Sequence, residues 1–175
     1  MHVRVRIIAG TAAAIAAVGL AVPLAAAATS NAPSASGLVM FSGVTTSMAN
    51  VPTVPIVARG AFNDTGSITL SGGSRSHHGV LVMSQGNIRV THTNSALSDE
   101  NFNSTTCQFT AVERVSYIVT GGTGAYAHAS GHGLAAVTFE EVAPRRANGK
   151  CNTSNNAAPV SEVTVFNAAG PISVP

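Results

Sequence analysis

The sequence predicts an all-β, antiparallel domain, either a barrel or a sandwich. Three observations point there. Short runs rich in Val, Ile, Thr and aromatics alternate with clusters of Gly, Asn, Asp, Ser and Pro. Outside the N-terminal segment no stretch repeats apolar residues at spacings of three and four over ten or more positions, as an amphipathic helix requires. Many short strands without crossover helices mean antiparallel pairing.

The first segment is read as an export signal. Arg4 and Arg6 form a basic start, and Ile7 to Leu24 is an apolar run. Pro23 breaks that run, and Ala25 to Ala28 offer small residues to a signal peptidase, with cleavage expected after Ala27 or Ala28. The alternative is a retained anchor, but Gly10, Gly19 and Pro23 interrupt the run and no charged stop-transfer segment follows. Val5 separates the two arginines, so the signal is not of the twin-arginine kind. The expected organisation is a signal peptide at 1–28, a flexible Ser/Ala/Pro/Asn lead at 29–36 and one β-domain at 37–175, secreted to the extracellular space.

From there the strands are taken in order. Leu38 to Thr46 is the first, and Val54 to Phe62 the second, with Pro52 and Pro55 suggesting an edge or a strand start. Asn63-Asp64-Thr65-Gly66 reads as a turn. Ser67 to Leu70 follows, and a polar loop runs from Ser71 through His78. Val80 to Met83 and Ile88 to Thr93 flank Ser84-Gln85-Gly86-Asn87 as a hairpin. Asn94 to Thr106 is polar and is expected to be a surface loop. Cys107 to Thr120 is the longest strand-like run. Leu134 to Val142 comes after a glycine-rich segment, Ala143 to Pro159 is a second long polar loop, and Val160 to Asn167 is the last strand. The count is eight or nine strands.

Charge excludes one class of partner. Without Arg4 and Arg6, seven basic residues balance seven acidic ones, so the mature chain is formally neutral. It has no basic stripe of the kind nucleic-acid binders carry. No membrane association is expected after signal cleavage. Cys107 and Cys151 are the two cysteines, and in an oxidising compartment an isolated pair reads most simply as one disulfide, the alternative being two free thiols.

The segment from Val119 to Ala127 contains Gly122-Thr123-Gly124 followed by Ala127, a match to a dinucleotide-binding fingerprint. Its context is wrong. The next residues, His128-Ala129-Ser130-Gly131-His132-Gly133, place two glycines where the helix of such a site would start. A glycine-rich connection between two strands fits better, and no cofactor is expected.

Thr120 to Gly133 resembles the TGGTGxYxxAxGxG element of exported bacterial proteins related to allene oxide cyclase and dirigent proteins. Phe62-Asn63-Asp64-Thr65-Gly66 is similar to an earlier turn of that group, as is the placing of one cysteine before the glycines and one after Phe139. The resemblance covers about Gly37 to Asn167. It implies an eight-stranded antiparallel barrel of calycin type with an apolar lumen. Plant members of the group cyclise an unstable epoxide or steer radical coupling. None of their catalytic residues falls on a matching motif here. The resemblance permits a homo-oligomer without requiring one.

Period-two alternation from Cys107 collects Cys107, Phe109, Ala111, Glu113, Val115, Tyr117 and Val119 on one face. Glu113 is therefore the candidate catalytic group, a carboxylate among apolar neighbours, and the alternative is a Glu paired with Arg89 or Arg114 or solvated at a rim. Phe109 and Tyr117 are candidate ligand contacts, together with Arg89, whose guanidinium could hold a ligand carboxylate if it entered the lumen. Arg89 and His92 face opposite ways by the same alternation. His77-His78 and the His128/His132 pair lack a third ligand at a known spacing, so no metal is expected. No GxSxG nucleophile motif occurs. Three functions stay open: a barrel binding a small hydrophobic molecule, an isomerase or cyclase acting by conformational restraint, and a structural or interaction protein with a filled core.

Overall fold

The computed structural model describes residues 34–47, 52–70, 78–92, 97–154 and 156–175. The expected signal peptide and His77 lie outside the described residues. The domain is an antiparallel β-barrel. Its strands are β1 (Ala35–Thr45), β2 (Thr53–Gly60), β3 (Asp64–Thr69), β4 (His78–Met83), β5 (Gly86–His92), β6 (Leu97–Asn103), β7 (Gln108–Gly122), β8 (Ser130–Val142) and β9 (Ser161–Val174). They lie in the order β5-β4-β3-β2-β1-β9-β8-β7-β6, and pairing of β5 with β7 closes eight of them into a barrel.

Closure uses only half of β7. Its residues Tyr117 to Gly122 pair with β5, whereas Gln108 to Glu113 pair with β6 along the same edge. β5 and β6 thus follow one another beside β7. The segment read as a surface loop, Asn94 to Thr106, contains β6. Its sequence, LSDENFN, is mostly polar, with Leu97 and Phe102 its two apolar residues. It is held as a strand by its neighbour: Ser98 Oγ donates to the Val112 carbonyl at 3.0 Å, and Arg114 pairs with Asp99 at 2.5 Å. A bulge between Ser98 and Asn101, with Asp99 at φ 53°, interrupts the ladder.

The other strands run where alternation put them, with shifted ends. β1 begins at Ala35, inside the expected lead, and β9 runs on to Val174. β3 starts at Asp64, so the last three of the four expected turn residues belong to a strand. β2 is paired on both sides rather than at an edge. Pro55 is tolerated because it lies just past the last β1–β2 pair, Gly43–Ile56, where no donor to β1 is needed.

Inward side chains from all eight barrel strands form one cluster. Ile56, Ile88, Ile172, Val39 and Val54 are fully buried within it. Phe41, Tyr117, Tyr126 and Phe166 supply its aromatic bulk.

Candidate functional site

The glycine-rich segment closes one end of the barrel. After β7 the chain makes a single 3-10 turn, Gly124–Tyr126, and enters β8 four residues later. No helix starts at Tyr126, so the pyrophosphate-binding geometry of a dinucleotide site is absent from this segment. The turn is clamped onto the β4–β5 hairpin. The Thr123 and Ala125 amides donate to the Asn87 and Gln85 carbonyls, each at 2.9 Å. Gly124 has φ 58°, and a Cβ there would lie 2.4 Å from the Gln85 carbonyl oxygen, so this position needs glycine on both counts.

Tyr126 turns inward from this segment and meets Asp64. Its hydroxyl donates to Asp64 Oδ2 at 2.6 Å. The Thr65 amide donates to Oδ1 at 2.7 Å and the Gln85 amide to Oδ2 at 3.3 Å. The Ser84 hydroxyl also donates to Oδ1. Burial pushes the Asp64 carboxyl up, but these four hydrogen bonds outweigh it and hold its pKa below the ordinary 3.8. Burial and the Asp64 charge push the Tyr126 phenol well above its ordinary range. The Phe62 ring packs on Tyr126 with centroids 5.3 Å apart. The glycine-rich segment and the start of β3 are therefore joined by one carboxylate–phenol latch. The sequence around Asp64 predicts a turn, and nothing in it marks the residue as buried.

The other end holds the two cysteines. Cys107 and Cys151 form a disulfide with Cα atoms 5.4 Å apart, closing a separation of 44 residues. It ties the start of β7 to the β8–β9 connection. Arg145 reinforces the tie, donating to the Gly149 carbonyl at 2.8 Å and to the Thr105 carbonyl.

Between the two ends runs the inner face of β7. Phe109 and Tyr117 are buried on it and Glu113 is half-buried, so these three side chains share one face. Arg89 is separated from them: it is exposed on the outer face of β5, opposite Val80. At a strand rise of about 3.3 Å per residue, Glu113 and Tyr117 stand roughly 13 Å apart along β7. Glu113 lies between Leu97 of β6 and Val137 of β8.

Tyr117 is 7% exposed, and its hydroxyl finds no hydrogen-bond partner among the described residues. The ring lies over Gly133, its cross-strand neighbour, where a Cβ would come within 2.4 Å of the hydroxyl oxygen. Burial raises the phenol pKa. Leaving a buried hydroxyl unpaired costs about 1–3 kcal/mol.

A pair of carboxylates not singled out in the sequence stands at the disulfide end. Glu141 of β8 and Glu162 of β9 are cross-strand partners, and Phe109 lies on the other side of Glu141. Both are half-buried, and no cation lies within ion-pairing distance of either among the described residues. Burial raises the Glu141 pKa. Glu162 is raised by burial and by the Glu141 charge, against a 3.4 Å hydrogen bond from Thr164. Alternation continued past Phe139 would have placed Glu141 on the inner face, but no local signal says which residue of β9 it meets.

Comparison with protein-family models, with curated proteins and with solved structures finds no match for this chain. The functional reading therefore rests on the geometry.

Proposed function

We propose that this chain is an exported barrel that takes a small hydrophobic molecule into its lumen, with Tyr117 as the polar contact. One observation carries this reading: the Tyr117 hydroxyl is buried and finds no hydrogen-bond partner among the described residues, beside a core cluster that is mainly apolar. A ligand oxygen or nitrogen accepting from Tyr117 Oη would recover the lost hydrogen bond, and the surrounding Val, Ile, Ala and Phe side chains would recognise the apolar remainder. Export is supported by the apolar N-terminal run and by the disulfide, which persists in oxidising compartments.

The test is native mass spectrometry of protein purified from the medium of a secreting host, followed by the same measurement on Tyr117→Phe. The expected result is a co-purifying small molecule whose affinity falls about tenfold in the variant, the equivalent of one hydrogen bond of about 1.4 kcal/mol. Protein free of ligand in every preparation, with no saturable uptake of an apolar fluorescent probe, would rule the reading out. Glu113→Gln separates binding from isomerisation. Retained binding with lost turnover of a candidate epoxide substrate would favour a cyclase resembling allene oxide cyclase, with Glu113 as general acid or base.

A second reading is favoured by the packing. Inward side chains from all eight barrel strands contact one another in a single cluster, which is what a structural or interaction protein with a filled core requires. Tyr117→Phe decides here too: with a filled core it stabilises the fold and changes nothing else.

A further inference from the structure

Outside the barrel, cross-strand register aligns five residues in one row. Arg59 of β2 pairs with Met40 of β1, Met40 with Ala169 of β9, Ala169 with Leu134 of β8, and Leu134 with Ser116 of β7. A surface depression of about 320 Å³ lies at the Arg59 end of this row, lined by Met40, Ser42, Arg59, Asn167 and Ala169 together with Phe41 and Ala168, and Leu134 stands one strand beyond it. Met40 is 52% and Leu134 69% exposed, so the row presents apolar surface to solvent. From Arg59 to Leu134 is three inter-strand steps, about 14 Å.

The charge distribution along the row is one-sided. Among the described residues, the outward positions of β1, of β9 from Val165 to Ser173 and of β8 from Ser130 to Thr138 carry no carboxylate and no Lys or Arg. Arg59 is the charged residue of β2, and its guanidinium makes no ion pair or side-chain hydrogen bond among the described residues. Arg114, at the opposite flank, is already paired with Asp99.

We propose that this row binds a single-chain anionic amphiphile, its acidic head on Arg59 and its apolar tail across Met40, Ala169 and Leu134. The guanidinium offers a fork of donors that fits a carboxylate or a phosphate oxygen pair. The tail covers side chains that otherwise face water. The site is on the outer surface and is independent of the lumen.

Isothermal titration of the mature protein with dodecanoate below its micellar concentration tests this, beside dodecyltrimethylammonium and vesicles of phosphatidylglycerol or phosphatidylcholine. Expected are saturable one-to-one binding of dodecanoate, at least tenfold weakening in Arg59→Gln and several-fold weakening in Leu134→Ser. Lys150→Gln, which removes an equal charge from the exposed β8–β9 connection, should leave binding unchanged. Equal affinity for the cationic detergent overturns the proposal, as does binding to vesicles without binding to monomeric dodecanoate. Dodecanoate affinity that falls in Tyr117→Phe but not in Arg59→Gln would place the amphiphile in the lumen and also overturns it.

Discussion

The two ends of the barrel meet the same problem by opposite means. At the end closed by Tyr126, a buried carboxylate is fully supplied with donors, and Asp64 stays ionised because four hydrogen bonds outweigh its burial. At the end bearing the disulfide, Glu141 and Glu162 face one another with no cation in ion-pairing distance among the described residues, and both are pushed toward the neutral form. The first end is held by hydrogen bonds and the second by a covalent tie. Burial alone does not set the protonation of a carboxylate; the donors that accompany it do.

Breaking the covalent tie should have the largest effect. Replacing both Cys107 and Cys151 by Ala frees a loop of 44 residues, and chain entropy puts the loss at about 4 kcal/mol. Thermal unfolding should report a Tm lower by roughly 10 °C or more. At the opposite end, Asp64→Ala strands the hydroxyls of Ser84 and Tyr126 and two amides, and should cost about 3 kcal/mol in urea unfolding. Tyr126→Phe removes one donor to the same carboxylate and should cost about 2 kcal/mol. A cost below ~0.5 kcal/mol for both latch variants would show that the glycine-rich turn is held by its backbone contacts to the hairpin alone.

The two ends should also separate by pH. The Asp64 pKa is lowered on folding, so its contribution is present above the ordinary 3.8 and is lost as pH falls through the lower folded value. The pKa values of Glu141 and Glu162 are raised on folding, so their contribution is full below the ordinary 4.5 and is lost as pH rises through the raised folded values. Urea unfolding across pH 3 to 8 should show both slopes. Glu141→Gln should flatten the second one and stabilise the fold at pH 7 by under ~1 kcal/mol, because like charges directly opposite on neighbouring strands repel. Asp64→Asn should flatten the first one only. A comparably small effect is expected between the ends. Tyr117→Phe removes an unpaired buried hydroxyl and should raise stability by about 1 kcal/mol in the ligand-free protein. A destabilisation there would mean that the hydroxyl has a partner in solution.

Much of the fold is legible residue by residue. Alternation along β7 puts Phe109, Glu113 and Tyr117 on one face, and the structure keeps them there. Arg89 shows the limit. Its strand was legible, but whether its face turned toward the lumen or toward solvent was not, and it is exposed. β6 was not legible at all, since its polar residues become a strand only through the β7 edge beside them.

The sequence by itself determined the class of structure, the β character of most strands and the two faces of the longest one. These follow from local geometry, because side chains two residues apart share a face whatever the strand pairs with. Tertiary structure alone decided that β5 closes onto half of β7, that Asp64 meets Tyr126 across 62 residues and that Glu141 stands opposite Glu162. Those contacts depend on register between strands distant in sequence. Register is set by the packing of the whole barrel, and no single segment encodes it.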